Sequence, residues 1–257
     1  MLDIITPLLL TYDEAPNIRR TLQKLSWAKR IVVVDSFSKD ETLDILSEHH
    51  QVDLFQREFD THAKQWNYGL QQIKTEWILS LDADYILSNQ LIGEIHGLSP
   101  HLSINGYRAR FKYCVFGKPI RSSVLPQRIV LFRTSQGYYI DDGHTQLLKL
   151  DGHTTQLSGC IYHDDRKPIS RWLWAQDRYM IMEAQKLLEI PNTKLSAADN
   201  LRRTKWLSPL VILVYCLVLK GGILDGWRGL YYAYQRMLAE LILSIRLAEL
   251  DALHTNK

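Results

Sequence analysis

Leu79-Ser80-Leu81-Asp82-Ala83-Asp84-Tyr85 reads as the end of a buried strand closed by two carboxylates one residue apart. Strand side chains alternate faces, so Asp82 and Asp84 point the same way if the strand continues through them. Two like charges held together repel, and a divalent cation carrying phosphates relieves that repulsion. In an open parallel sheet the ligand crevice lies at the carboxyl ends of the strands, where this pair falls. An isolated Asp-x-Asp also describes two solvated turn aspartates, so the choice rests on the sequence around it.

Upstream, Leu8-Leu9-Leu10-Thr11 is a candidate strand whose start Pro7 marks, because proline cannot donate to a ladder. Pro16 suits the first position of a helix that carries Ile18, Leu22 and Leu25 on one side. Ile31-Val32-Val33-Val34 lacks polar alternation, as a strand covered on both faces does, and it ends in Asp35-Ser36. Ser38 and Glu41 have capping-box spacing, which predicts a helix through Leu43 and Leu46 to about His49. Val52 to Gln56 is a third strand, Ala63 to Ile73 a helix, and Trp77 to Leu81 the strand quoted first. This alternation predicts an α/β fold with a mostly parallel sheet flanked by helices. Neither a Walker loop nor G-x-G-x-x-G is present, so a nucleotide would be held by acidic residues and a metal.

Downstream of Leu98 the period changes to two, with strands at Tyr107 to Phe111, Arg128 to Arg133 and Gln146 to Leu150 in a mixed or antiparallel extension of the sheet. Asp151-Gly152 between Leu147-Leu150 and Thr154-Leu157 predicts a hairpin. Asp141-Asp142-Gly143-His144 reads as a loop between two of these strands. From Pro168 the chain turns helical. Leu207 to Leu219 is mostly apolar but too short for a bilayer, which needs about 20 residues. Trp227, Leu230, Tyr231, Tyr234, Leu238, Leu241 and Ile245 form a helical apolar stripe opposed by Arg228, Gln235, Arg236 and Glu240. An interfacial helix pair and a helical hairpin packed on protein, in the same chain or a homodimer, both fit.

The 257 residues suffice for one good core and an appendage, and 46% hydrophobic with 23% charged residues excludes a disordered chain. Cys114, Cys160 and Cys216 are too few and too scattered for a disulfide framework or a cysteine zinc site, which fits a reducing cytoplasm. Met1 to Leu10 lacks the basic start and cleavage site of a signal peptide. From Arg166 onward 14 Lys and Arg face 8 Asp and Glu, whereas residues 1–165 hold 17 and 20. That balance gives no argument for nucleic acid, but a basic tail rich in Trp and Leu suits an anionic membrane surface.

Thr11-Tyr12-Asp13-Glu14-Ala15-Pro16-Asn17-Ile18, Val34-Asp35-Ser36-Phe37-Ser38-Lys39-Asp40-Glu41-Thr42 and Leu81-Asp82-Ala83-Asp84, in that order and spacing, resemble the signature of family 2 glycosyltransferases with the GT-A fold. Lys220-Gly221-Gly222-Ile223-Leu224-Asp225-Gly226-Trp227-Arg228-Gly229-Leu230 resembles the tail of the bacterial branch that extends lipopolysaccharide core. The resemblance implies a Rossmann-like catalytic domain over residues 1–165 and a helical extension over 166–257. It also implies a nucleotide-diphosphate sugar donor, a glycan or glycolipid acceptor, Mn²⁺ or Mg²⁺, inversion at the anomeric carbon, and a place on the cytoplasmic face of the inner membrane.

Carried onto this chain, the resemblance makes Asp35 the acceptor for the imide N–H of uracil, a charge-assisted bond that favours UDP. Glu14 and the backbone at Thr11 and Tyr12 then line the base and ribose slot with Ser36, and Lys64 falls where the family has a basic residue near the nucleotide. Asp84, with Asp82 directly or through water, is expected to hold the metal, and His163 to be a third ligand or a diphosphate contact. The family often shows His-Glu where this chain has His144-Thr145. The general base then passes to Asp142 or Asp141, with Asp142 nearer His144. Arg128 is a candidate diphosphate contact. A polyprenyl-phosphate glycosyltransferase, a nucleotidyltransferase and a degenerate, membrane-bound scaffold are the competing readings. The absent spanning helices count against the first, and the absent Gly-rich loop against the second. The intact Asp35, Asp82 and Asp84 count against the third.

Overall fold

The computed structural model describes residues 2–99, 103–143, 145–191, 193 and 195–255. They form two compact units, one of residues 1–117 and 125–167, the other of residues 118–124 and 168–257.

The first unit is an α/β layer structure. Strands β1 (Ile5–Thr11), β2 (Ile31–Asp35), β3 (Val52–Gln56) and β4 (Trp77–Asp82) alternate with helices α1 (Ile18–Lys24), α2 (Thr42–Ser47) and α3 (His62–Gln71). Then follow β5 (Tyr85–Leu87), α4 (Asn89–Gly97), the long β6 (Ile104–Val115), β8 (Arg128–Arg133), β9 (Gly137–Asp142), β10 (Thr145–Leu150) and β11 (His153–His163). A two-residue strand, β7 (Lys118–Pro119), belongs to the second unit. The main sheet runs β3-β2-β1-β4-β8-β6-β11-β5. β3, β2, β1 and β4 are parallel, β8 is antiparallel to both β4 and β6, and β11 is parallel to β6. Val32, Val33, Val34, Leu8, Leu9 and Leu79 are fully buried, as a strand set covered on both faces requires.

Local chemistry departs from expectation at four places. Pro7 lies inside β1 rather than at its start. It pairs with Leu79 of β4, while the β2 ladder begins only at Leu8, so its missing N–H falls where one flank is unpartnered. The Ser38–Glu41 capping box does not form. The Ser38 N–H and hydroxyl both turn to Asp35, and Asp40 instead accepts from the Thr42 N–H at 3.0 Å. The turn at Asp151-Gly152 is present, with Gly152 at φ +94°, but the strands it joins do not pair with each other. β10 pairs with β9 in a separate two-stranded sheet, and β11 joins β6 and β5 in the main one. Finally, Asp141 and Asp142 are the last residues of β9, opposite Gln146 and Thr145, rather than part of a loop.

β11 passes α4 at very close range. A Cβ on Gly159 would lie 2.5 Å from both the backbone N and Cα of Leu91, and the N–H groups of Ser158 and Gly159 donate to Glu94 at 3.2 and 3.0 Å. Helix backbone cannot yield as a side-chain tip can. Gly159→Ala is therefore expected to cost about 3 kcal/mol, the upper end for overpacking, measured by urea unfolding.

The second unit holds α5 (Ile169–Glu189), α6 (Ala197–Arg203), α7 (Ser208–Val214) continued by a π-helical turn over Tyr215–Leu219, and α8 (Trp227–Thr255). Met180, Ala184 and Leu187 of α5 pack with Leu243 and Leu247 of α8. Arg202 joins this core to polar partners, pairing with Glu240 at 3.0 Å. Between α7 and α8 the chain reverses in a tight turn with Gly221 at φ +70° and Gly226 at φ +61°. A Cβ on Gly229 would meet the carbonyl oxygen of Gly222 at 1.9 Å, which accounts for the glycine spacing of this stretch. Among the described residues no helix is long and apolar enough to cross a membrane.

Candidate active site

Register brings the acidic residues together. Thr11 pairs with Asp35 and Leu10 with both Val34 and Asp82, so the carboxyl ends of β1, β2 and β4 present a threonine and two aspartates at one edge. The loops that leave β1 and β2 interlock there. The Asp13 N–H donates to the Ser38 hydroxyl, the Lys39 N–H to Asp13, the Glu14 N–H to the Thr42 hydroxyl and the Ala15 N–H to Asp40. Asp13 and Phe37 take up left-handed backbone, φ +53° and +59°, a cost that the interlock sustains.

Asp35 holds this cradle from inside. It has no exposed surface, its Oδ1 accepts from the Thr11 hydroxyl at 2.8 Å, and its Oδ2 accepts from the Ser38 N–H at 2.8 Å. Asp35 is the residue expected to accept from a base N–H, and in this structure its oxygens are engaged by Thr11 and Ser38 at the edge of the same cradle. Ser36 lies partly buried beside it and accepts from Gln65 at 2.9 Å, while Tyr12 is exposed on the rim.

Asp82 and Asp84 do not share a strand face. β4 stops at Asp82, and the Ala83-Asp84 turn, pinned by the Thr21 hydroxyl on the Ala83 carbonyl at 2.7 Å, redirects the second carboxylate. Asp82 accepts from the buried Tyr85 hydroxyl, and the charge of Arg128 opposes its effect on that hydroxyl. Asp84, buried, meets His163 instead, Oδ2 to Nε2 at 2.9 Å. His163 ends β11 in register with Tyr85 of β5 and Tyr113 of β6, and both rings contact it edge-on with centroids at 5.3 and 5.1 Å. Burial alone would raise the Asp84 carboxyl and lower the imidazole. Their mutual attraction outweighs it, holding Asp84 below the usual carboxylate range and His163 above the usual histidine range.

The donor set suits a divalent cation. Asp84 Oδ1 and His163 Nδ1 are buried with no hydrogen-bond partner. The 2.9 Å between Oδ2 and Nε2 equals the separation of adjacent ligands in an octahedron with bonds of about 2.1 Å, roughly 3 Å. Among the described residues no three His, Cys, Asp or Glu side chains converge as a complete cage, and Asp84 and His163 are the pair in direct contact. A cation bound mainly through substrate phosphates and water needs only one or two protein ligands.

A second charged assembly lies beside the first. Lys167 donates to Glu14 at 2.6 Å, both side chains being under one-fifth exposed. Asn17 donates to Glu14 and to Asp165 at 2.8 Å, and its oxygen accepts from Arg20 and from the Arg166 N–H. Asp164, 4% exposed, accepts from Arg20, Arg166 and the Gly117 N–H. Its own N–H donates to the Asp84 carbonyl at 3.1 Å. Burial pushes the Glu14 carboxyl up to about 7 against the pull of Lys167, and Asp84 adds to the push. Burial alone would lower Lys167, but Glu14, Asp165 and Asp84 hold it above the usual lysine range.

Lys64, Asp141 and Asp142 lie on α3 and the β9–β10 hairpin. Lys64 is exposed in the first turn of α3 and pairs with Asp60 at 3.2 Å. Asp141 and Asp142 sit on the β9–β10 hairpin, which is tied to α3 by reciprocal Asn67–Tyr139 hydrogen bonds at 2.8 and 2.9 Å and by Trp66 stacked on Tyr139 at 5.3 Å. His144 lies outside the described residues. Asn17, Arg20, Asp164, Asp165, Arg166 and Lys167 were not anticipated. The dense charge run His163-Asp164-Asp165-Arg166-Lys167 directly after a strand was the available signal.

Residues 7–97, which span β1 to α4, match the sequence family Glycosyl transferase family 2. A search of curated proteins finds no match. S. aureus TarS 1-349, crystallised in complex with UDP-GlcNAc, superimposes with a TM-score of 0.51 at 16% identity, covering 94% of this chain and 89% of that one. Glucosyl-3-phosphoglycerate synthase from Mycobacterium tuberculosis, in a complex with Mn2+, UDP and glucosyl-3-phosphoglycerate, gives 0.44 at 12% identity over 74% and 81%. Residues 7–97 thus match Glycosyl transferase family 2, and the sheet order together with the TarS superposition shows a GT-A-like fold.

Proposed function

We propose that the chain transfers a hexose from a UDP-sugar to a hydroxyl of a lipid-linked or lipopolysaccharide-type glycan, with inversion. The observation that carries this reading is the buried Asp84–His163 pair at the strand ends, with Asp84 Oδ1 left unsatisfied. TarS, the structural neighbour in complex with UDP-GlcNAc, supports the donor class. The Lys220–Leu230 stretch supports the acceptor class by its resemblance to the lipopolysaccharide branch.

Asp84 and His163 are the residues that would hold Mn²⁺ or Mg²⁺, which when bound neutralises charge on the departing diphosphate. Lys167, kept charged by Glu14, Asp165 and Asp84, adds a fixed positive charge next to Asp84, and Arg128 adds another that is felt at Tyr85. Asp35 orients Ser38 and Thr11, so that the interlocked loops offer a preformed slot to the nucleoside, with Tyr12 and Ser36 on its rim. Asp142, or Asp141 next to it, takes the proton of the acceptor hydroxyl as its oxygen attacks the anomeric carbon.

Heat-induced unfolding with UDP-, GDP-, CMP- and TDP-linked sugars, with and without Mn²⁺, tests the reading. Saturation near one hundred times Kd adds about 2.7 kcal/mol to stability. The expected result is a metal-dependent rise with UDP species alone, and no rise with any nucleotide would overturn the proposal.

A further inference from the structure

The turn between α7 and α8 carries a concentration of apolar surface. Leu219, Ile223, Leu224 and Trp227 are 74%, 62%, 71% and 54% exposed. Val214 and Val218 lead into it, and Leu230 and Tyr234 lead away from it, all of them exposed. The other side of α8 is spent on packing, with Tyr232, Ala233, Ala239, Leu243 and Leu247 buried, so these residues are surplus to the unit's own core. Exposed apolar surface of this density marks an interaction site.

Charge decides the occupant. Residues 206–236 contain Lys220, Arg228 and Arg236 against a single acid, Asp225. Asp225 is turned inward, accepting from the N–H groups of Arg121 and Ser122 at 2.8 and 3.3 Å. The surface that remains is apolar and cationic. Lys220 lies over the Tyr215 ring at 5.5 Å and Arg228 over the Trp227 ring at 4.6 Å, so the cations sit beside aromatic rings, as at a headgroup boundary. An isologous contact with a second copy would set this cationic patch against itself with no exposed acid to answer it. Anionic headgroups answer it directly.

We infer that the α7–α8 turn seats on a bilayer surface containing anionic lipid, Leu219, Ile223, Leu224 and Trp227 entering the acyl boundary and Lys220 and Arg228 meeting the headgroups. With no helix able to cross, the element lies in the interface. This inference stands independently of the transferase reading, and its test involves no nucleotide.

Cosedimentation of the full chain with vesicles of phosphatidylcholine, with and without phosphatidylglycerol, provides the test. Binding is expected with the anionic vesicles, weakening as salt rises. Combining Leu219→Ser, Ile223→Ser and Leu224→Ser is expected to reduce partitioning at least about 100-fold, and Lys220→Gln alone about fivefold. These side chains are exposed, so an unchanged unfolding midpoint establishes that the variants remain folded. Equal vesicle binding by the parent and the triple variant would overturn the inference. So would a stable dimer in sedimentation velocity that the triple variant splits while neither protein binds vesicles, which would give the face to a second copy.

Discussion

Asp84→Asn is expected to lower turnover about 10²–10³-fold, the scale seen when one preorganised electrostatic group is removed from a transfer site. The amide keeps the volume of the carboxylate but removes the charge that raises the His163 imidazole above the usual histidine range and that a cation would take as ligand. A buried polar atom without a partner costs about 1–3 kcal/mol, so the variant remains folded and its loss is functional. Initial rates titrated with Mn²⁺, together with the metal-dependent rise in unfolding temperature, provide the check. The variant should need far more metal to reach any given rate, and its nucleotide shift should no longer depend on metal. Full activity in Asp84→Asn would exclude the Asp84–His163 pair from the chemistry.

Lys167→Met should destabilise the first unit by about 3–5 kcal/mol, the range for removing one member of a buried ion pair. Glu14 would be left desolvated beside Asp84, with Asn17 as its remaining donor. The loss depends on pH in a defined direction. Burial already pushes Glu14 up to about 7 with Lys167 present, and without the lysine the folded value rises further. A carboxyl whose folded value lies above its unfolded value of about 4.5 favours the folded state below that unfolded value. The benefit is lost as pH rises through the folded value, so the deficit of Lys167→Met should be smallest near pH 4 and largest above neutrality. Urea unfolding across pH measures this. Adding Glu14→Gln should recover most of the loss, because the double variant buries no uncompensated charge. A single-variant loss under about 1 kcal/mol at neutral pH would mean that the pair is solvated.

The strand and helix order of the first hundred residues was legible because each element carries its own signal. Continuous β-branched runs mark covered strands, and three- and four-residue spacing marks α1. The misreadings share a cause. Ser38 and Glu41 have the right letters for a capping box, but Asp35 lies nearer the Ser38 N–H and hydroxyl in the folded loop and takes both. Asp151-Gly152 supplies the backbone freedom of a hairpin, but β11 finds a longer partner in β6 and β10 a partner in β9. Local propensity proposes such pairings and the sheet disposes of them, because register is settled by the whole buried face.

The site divides in the same way. By itself the sequence determined that aspartates stand at the carboxyl ends of β2 and β4, since a strand's end and its terminal residue are read from one short segment. It determined as well that the α7–α8 stretch is apolar, aromatic and basic. Only the tertiary structure decided that Asp84 meets His163, that Asp35 faces inward, and that Glu14 is neutralised by Lys167 from 153 residues away. Only it decided that the apolar residues of that stretch remain uncovered. The physical reason is that hydrophobic periodicity acts between neighbours along the chain. Charge pairing and exposure depend on which strands and helices become neighbours in space, and the sheet order β8-β6-β11-β5 that delivers His163 to Asp84 has no local signal.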